Sequence, residues 1–312
     1  MREMIPIPES FTTDGWSTEK ASLALTDLSA GMALLVKDKW VPASLRLQHG
    51  FDQIKMTPDQ SLLDCLLRMQ KSGATRDSAL FWMRLAQKLP LQKDLTESVK
   101  DRFLRSEPAA PVKSDALVLC AHLAGIAISL PTAPIWQANQ FTVIFNELLA
   151  DEIVESDELI DNMACCQHAS ELVSRWQALA LKHLTPENFW QQRSIAFPAL
   201  IFGQDVQSHL ASQGGHAFET ILQKLADLNS SAADWKNAGG AAPNWKTRVS
   251  PESVERMKND KFVDSRRFKN ADGLTCLYEW HARFGASGRI HIRFDASTKT
   301  VEVGYIGTHL PQ

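Results

Sequence analysis

The chain has 312 residues, of which 44% are hydrophobic and 22% charged, and its formal net charge is −3. This length suffices for two domains with buried cores, and the composition is that of a globular protein, which excludes a disordered class. The longest apolar stretch, residues 116–130, is shorter than the ~20 residues that cross a bilayer, and the N-terminal residues form no continuous apolar run. We therefore expect neither a membrane-spanning segment nor a secretory leader.

The cysteines and the charge distribution indicate the cellular compartment and the type of binding partner. The five cysteines have no regular spacing, and an odd number predicts reduced thiols in a cytoplasmic protein. Residues 236–312 contain 13 basic and 8 acidic side chains, whereas residues 1–235 contain eight more acidic than basic ones. The contrast predicts that the C-terminal part alone contacts a polyanion.

Helical periodicity dominates the chain from Ser17 onwards, because apolar residues recur at the spacing of one helix face. Residues 142–145 fit a strand as well as a helix, and residues 197–203 interrupt the pattern. The predicted helical segments are 18–36, 58–69 (with Thr57 as N-cap), 76–89, 94–104, 114–128, 157–181, one that starts at Thr185, and 206–228.

Small, polar and helix-breaking residues occupy positions 229–245 and predict a flexible linker. We place this linker at 231–246, between a helical domain of residues 1–230 and a C-terminal module of residues 247–312. Ser250 and Pro251 are typical of a helix start, and Glu252 would favour the positive end of that helix. The predicted fold is α+β overall, with a mostly α-helical N-terminal domain and a small α+β module.

Three segments of the module alternate apolar and polar residues and predict a twisted antiparallel sheet: Cys276–Arg283, Arg289–Asp295 and Thr300–Ile306. The polar positions share one face, which carries Glu279, His281, Arg283, Arg289, His291 and Arg293.

Strand parity suggests how these three strands pair. If Arg283 lies opposite Arg289, then His281 lies beside His291. If Phe294 lies opposite Val301, the apolar residues form one face, Arg293 pairs with Glu302, and Gly304 lies opposite His291. A glycine there would leave room above the sheet.

The motifs Gly288-Arg-Ile-His-Ile292 and Tyr305-Ile-Gly-Thr-His309 resemble those of the RelE/ParE toxin superfamily, over about residues 250–309. In that family an N-terminal helical element and a basic turn precede the strands, and the ribosome-dependent members cut mRNA. The resemblance implies that Arg289 stabilises the phosphate and His309 acts on the leaving oxygen. It also implies that Glu279 or His281 is the general base, without a metal or another cofactor.

The expected function is a toxin-like, metal-independent RNA endonuclease regulated by its helical domain. Its partners would be RNA, with the ribosome as a candidate platform, and an inhibitory or antitoxin protein, in bacterial growth control or antiviral (phage) defence. The residues expected to bind nucleic acid are Arg266, Arg267, Lys269, Arg283, His291 and Arg293.

Two non-catalytic alternatives to this hypothesis remain. The polar face can be an ordinary solvated surface, and the module can be a non-catalytic nucleic-acid- or protein-binding module on a helical scaffold. Cys165 and His168 are close enough along the chain to share an ion, but no second pair stands at finger spacing, so buried thiols are favoured.

Overall fold

The computed structural model describes residues 2–37, 40–86, 95–211 and 213–310. The chain is mixed α+β and divides into two compact units, Met1–Arg175 and Trp176–Gln312. This division lies earlier in the chain than the predicted linker at 231–246. Within the four described ranges, no helix combines the length and apolar character needed to cross a membrane.

A five-stranded mixed sheet forms the centre of the first unit, in the spatial order β1-β5-β7-β6-β4. Strands β1, β5 and β7 are parallel, whereas β7, β6 and β4 are antiparallel. The bounds of the sheet strands are Met4–Pro6 (β1), Ser106–Ala110 (β4), Ile126–Ile128 (β5), Gln140–Leu149 (β6) and Glu152–Met163 (β7), and a small separate hairpin consists of Lys55–Thr57 (β2) and Gln60–Ser61 (β3).

Helices accompany this sheet, and a buried apolar cluster joins α5 to the strands through Leu117, Val118, Val143 and Ile160. The helices are Thr18–Lys37 (α1), Leu62–Gln70 (α2), Arg76–Leu85 (α3), Glu97–Arg105 (α4), Asp115–Leu123 (α5), Pro134–Gln137 (α6) and Cys166–Lys182 (α7), the last of which contains the division between the units.

The helices predicted at residues 126–128 and 157–163 are wrong, because these residues belong to β5 and β7. Residues 142–145, which fit a strand as well as a helix, lie in β6, so the N-terminal part contains a sheet as well as helices. Helix α5 ends early because Ala124 adopts a left-handed conformation, with φ of 47°. The segment predicted as a helix over 157–181 becomes helical only at Cys166.

Helix α2 begins at Leu62 rather than Pro58, because Ser61 and Asp64 form a reciprocal capping box. The helix predicted over 76–89 is α3, and residues 87–89 of that prediction lie outside the described part of the chain.

The second unit contains a five-stranded sheet in the order β8-β14-β13-β12-β9, in which only the pair β8–β14 is parallel. A separate antiparallel hairpin, β10–β11, follows a short helix. The strands are Leu200–Phe202 (β8), Val249–Pro251 (β9), Arg267–Lys269 (β10), Thr275–Leu277 (β11), Trp280–Phe284 (β12), Gly288–Asp295 (β13) and Thr300–Thr308 (β14). The helices are Phe189–Ala196 (α8), Val206–Ala211 (α9), Gly215–Ala238 (α10) and Asp260–Asp264 (α11).

One face of the second sheet belongs to a continuous apolar core with α10. Ala282, Ile290, Ile292 and Val303 on the strands are fully buried, as are Ile221, Leu225 and Leu228 on the helix. Burying each large aliphatic side chain contributes about 1.5–3 kcal/mol, so this core fixes which face of the sheet remains polar. The polar face that carries the candidate site is therefore the opposite one.

Two predictions about the start of the C-terminal module are wrong. Residues 231–238 are not part of a flexible linker but the last turns of α10, where Ser231, Ala232 and Trp235 are buried. The residues 249–251 form an edge strand beside β12 instead of a helix start. The basic segment that follows holds only a 3-10 turn at Arg256–Lys258 and the short α11.

Candidate functional site

The cross-strand register brings two histidines and two arginines together on the polar face. His281 pairs with His291 and Arg283 pairs with Arg289 across β12 and β13, as the sequence predicts. The imidazole centroids of the two histidines are 5.5 Å apart. The second predicted hairpin is also confirmed where Phe294 meets Val301.

A β-bulge in β14 changes the register near the centre of the sheet. His291 pairs with Tyr305 and not with Gly304, because the register shifts between His291 and Ile292. The prediction of open space beside Gly304 is wrong. A Cβ atom at Gly304 would lie 2.6 Å from the ring of Tyr278, which fills that space.

Glu252 lies at the centre of the site, although the sequence predicts for it only a favourable charge at the positive end of a helix. Its backbone N–H donates to the carbonyl of Glu279 at 2.8 Å, just beyond the paired residues of β9 and β12. The buried carboxylate lies 3.0 Å from Nε of Arg266, 3.4 Å from Nδ1 of His281 and 3.4 Å from Nη1 of Arg256. The sequence would indicate Glu252 as a site residue only if Ser250–Glu252 were interpreted as part of a strand.

The charges of this cluster shift one another's pKa values. Burial raises the pKa of Glu252, but the ion pair with Arg266 and the neighbouring histidines outweigh burial, so the net shift is downward. Burial lowers the pKa of His281, the charge of Glu252 opposes that effect, and the charges of Arg289, Arg283 and His309 add to it. Glu252 is consequently ionised and His281 neutral near pH 7.

Arg289 is a buried guanidinium without a carboxylate partner of its own among the described residues. Its side chain is only 7% exposed, Nη1 donates to the carbonyl of Gly288 at 2.8 Å, and Nε has no hydrogen-bond partner within residues 213–310. Burial and the charge of Arg283 lower its pKa. A buried donor that lacks an acceptor costs about 1–3 kcal/mol, a cost that an anion bound there would relieve.

The remaining predicted catalytic residues lie at the edge of this cluster. Glu279 is exposed, whereas His281 is only 7% exposed. His309 is half-buried just beyond β14, and its Nδ1 lies 2.6 Å from the carbonyl of Leu310. His281, Arg289 and His309 therefore share one region of the polar face, where Glu252 replaces Glu279 as the carboxylate in contact with His281.

The six residues expected to bind nucleic acid divide into three groups. Arg267, Lys269 and Arg283 are exposed, and Arg293 is paired with Glu302 at 2.6 Å. Arg266 and His291 are each only 1% exposed, which is inconsistent with surface contacts to a nucleic acid.

Aromatic side chains cover the middle of the polar face. Phe268 stacks on Tyr305 with centroids 5.0 Å apart and lies 6.4 Å from His291, whose Nδ1 is 3.1 Å from the carbonyl of Tyr278. Burial lowers the pKa of His291 to about 4. This covered middle leaves the end that carries Arg283, Arg289 and His281 as the candidate site.

Acid–base chemistry on an anionic substrate is what this arrangement of groups can perform. A neutral imidazole oriented by a carboxylate can take a proton, and two adjacent guanidiniums can hold a phosphate. In the described part of the chain, no group of three or more His, Cys, Asp or Glu side chains is placed to hold a metal ion.

Comparisons with protein-family models, with curated proteins and with solved structures found no match to this chain.

Proposed function

We propose that the second unit is a toxin-like, metal-independent RNA endonuclease whose site contains Glu252, His281, Arg283, Arg289 and His309. One observation carries the proposal: the buried Glu252–His281 pair lies next to the cross-strand pair Arg283–Arg289. RNA supplies its own nucleophile, the 2′-hydroxyl, so the protein needs a base, a cation for the phosphorane and an acid for the departing 5′-oxygen.

The roles follow from the geometry and the charges. The Glu252 carboxylate, 3.4 Å from Nδ1 of His281, makes a charge contact and not a hydrogen bond, and it favours a proton on Nδ1. Nε2 of the neutral imidazole is then left to accept the 2′-OH proton. Arg289 supplies donors to the phosphate, and Arg283 adds positive charge at the exposed side of the same strand pair. His309 protonates the leaving oxygen, and the exposed Glu279 is the alternative base.

The same proposal includes the fold of the module, its regulation, its cellular role and its partners. The module of residues 247–312 would have a RelE/ParE-like fold, and the N-terminal part would regulate it in a cytoplasmic bacterial protein of growth control or phage defence. The ribosome would be the candidate platform for cleavage, and an antitoxin-like protein the candidate inhibitor. The excess of basic residues after position 236 supports an RNA partner for this part of the chain.

Cleavage of a labelled RNA by the purified full-length protein tests the proposal. The reaction is run in EDTA, with and without ribosomes, and the product ends are identified. We expect 2′,3′-cyclic phosphate ends from the wild type and a loss of at least about 100-fold in rate for His281→Gln and Arg289→Met. Arg248→Ala, which changes an exposed arginine outside the site, should cleave like the wild type.

Circular dichroism and thermal unfolding of each variant separate loss of chemistry from loss of folding. If the folded wild type leaves RNA intact under all these conditions, the endonuclease proposal is wrong. It is equally wrong if the His281 and Arg289 variants cleave at the wild-type rate.

A second candidate, binding of a nucleic acid without cleavage, is favoured by the low exposure of His281 and Arg289, each 7%. These groups present little surface to a substrate, whereas Arg267, Lys269 and Arg283 are exposed and can hold phosphates. RNA binding that Arg283→Ala and Lys269→Ala weaken, together with no cleavage by the wild type, would favour this function.

A further inference from the structure

The first unit carries a long hairpin, strands β6 and β7, that extends beyond the strands on either side of it. The two strands pair continuously from Gln140 and Asp161 to Leu149 and Glu152. Ala150 and Asp151 form the two-residue turn with φ of 47° and 70°, the conformation that a type I′ hairpin turn requires. We call residues 147–159 the distal hairpin.

The neighbouring strands leave one edge of the distal hairpin open. Strand β5 pairs with β7 only at residues 161–163, and β4 pairs with β6 only at residues 144–147. In the described part of the first unit, no strand pairs with the outer edge of β7 between residues 153 and 159. Natural proteins usually protect such an edge with charged side chains, above all lysine, with proline or with a bulge. In that segment β7 has acidic side chains but no lysine, proline or bulge, so the edge is guarded against acidic strands and open to basic ones.

The direction of the unpaired backbone groups follows from the hairpin register. The pair that closes a two-residue turn is hydrogen-bonded, so alternate residues from Glu152 onwards bond to β6. The residues between them, Ile153, Glu155, Asp157 and Leu159, direct their N–H and C=O groups away from β6. An added strand would find its main-chain partners at these four positions.

The same four residues present a mixed apolar and acidic surface. Ile153 is 74% exposed and Leu159 is 60% exposed, although such side chains are usually buried. Glu155 and Asp157 lie between them and are also exposed. On that face an extended partner could place basic side chains opposite Glu155 and Asp157, and the aliphatic stems of further lysines or arginines could cover Ile153 and Leu159.

The charge of the distal hairpin identifies the chemistry of that partner. Six acidic residues and no basic residue lie between positions 147 and 158, and the chain has no lysine or arginine between Lys113 and Arg175. Two copies of this surface would repel each other, which disfavours pairing with a second copy. A cationic strand would be attracted to it and would gain the open main-chain hydrogen bonds.

We propose that the outer edge of β7, residues 153–159, is a docking site for a basic, extended segment of a partner protein, which adds to the sheet as a further strand. The segment would alternate lysine or arginine with aliphatic residues, so that basic side chains face Glu155 and Asp157. This proposal is independent of the RNA site in the second unit.

Binding of a fluorescein-labelled octapeptide that alternates lysine and valine tests the proposal with the full-length protein. Fluorescence anisotropy should show saturable binding, and hydrogen exchange should show new protection of the outward amides within residues 153–159, which are those of Ile153, Glu155, Asp157 and Leu159. The double variant Glu155→Lys/Asp157→Lys should bind at least about tenfold more weakly. The matched control Glu19→Lys/Asp59→Lys, which makes the same change in charge at two exposed sites elsewhere, should bind within about twofold of the wild type.

A second peptide of the same sequence, in which every main-chain nitrogen is methylated, separates strand addition from attraction of charges alone. It keeps the charge but lacks the main-chain donors on both of its edges, so it should bind at least about tenfold more weakly. Equal binding of the two peptides, or unchanged amide exchange at residues 153–159, would overturn the proposal. A wild-type dimer that Glu155→Lys/Asp157→Lys dissociates would also overturn it, because the occupant would then be a second copy.

Discussion

Glu252→Gln should destabilise the second unit strongly, although the two side chains have nearly the same shape. The substitution removes the negative charge that faces Arg266, which is only 1% exposed and is among the largest fully buried side chains. The other contacts of Arg266, from Nη1 to the carbonyl of Phe262 at 2.9 Å and to the hydroxyl of Ser265 at 2.8 Å, are to neutral groups. The variant would leave a buried cation without its counterion.

The magnitude follows from the distance between the two charged groups. At the observed 3.0 Å, and with an effective dielectric constant of about 20, the attraction between them is about 5.5 kcal/mol. Removal of one partner from a buried pair costs about 3–5 kcal/mol, because the remaining charge stays desolvated. We therefore expect the free energy of unfolding of this unit to fall by about 3–5 kcal/mol.

Native-state hydrogen exchange of the amides in β12 and β13 measures this change in the second unit alone, which matters because two compact units need not unfold in one step. Glu255→Gln, at an exposed position three residues away, is the matched control and should change stability by less than about 0.5 kcal/mol. The double variant Glu252→Gln/Arg266→Met should recover much of the loss, since it removes both charges of this buried pair. A loss below about 1 kcal/mol in Glu252→Gln would refute the reasoning.

Three further predictions concern the same unit. The pKa of His291 is about 4 in the folded protein and near 6.5 in the unfolded chain, so the unfolded state binds the proton first as the pH falls. The free energy of unfolding should therefore decrease by up to about 3 kcal/mol between pH 6.5 and pH 4. Urea titrations at each pH should show a smaller decrease for His291→Gln. Gly304→Ala should lower stability by about 1–3 kcal/mol in urea unfolding, because its Cβ would lie 2.6 Å from the ring of Tyr278. An unchanged midpoint would contradict the close contact between Gly304 and Tyr278. Gly203→Ala should be at least as harmful, because its Cβ would collide with the backbone carbonyl of Lys269, which cannot rotate away; normal expression and melting temperature would exclude that contact.

The candidate site could be predicted in part because strand alternation is a local signal. Period-two alternation places Arg283 and Arg289 on one face, and the pairing of His281 with His291 follows from the parity of the loop. The bulge at Gly304 could not be predicted in the same way. The ring that packs against Gly304 belongs to Tyr278, which is distant in the sequence, and strand alternation gives no information about that contact. Parity alone therefore misses the one extra residue that β14 contains in the second hairpin.

Glu252 was missed for a related reason. Ser-Pro-Glu is a strong local signal for a helix start, but the edge of β12 offers unpaired main-chain groups that residues 249–251 satisfy. The first sheet illustrates the same limit, because residues 157–163 carry a helix-compatible pattern and become a strand only by pairing with β6.

The sequence by itself determined two of the three C-terminal strands, their polar face, the first hairpin register and the uneven distribution of charge, all of which depend on residues close together in the chain. The predicted strand Cys276–Arg283 is only partly correct, because residues 276–277 belong to the separate hairpin β10–β11 and β12 begins at Trp280. Only the tertiary structure decided the rest. Residues 231–238 of the predicted linker belong to α10 because Trp235 is buried in the apolar core of the second unit. The fold also places Glu252 beside His281 and Arg266. The contacts of Glu252 join residues from separate elements of the unit, and no periodicity in the chain encodes a pairing that only the folded sheet creates.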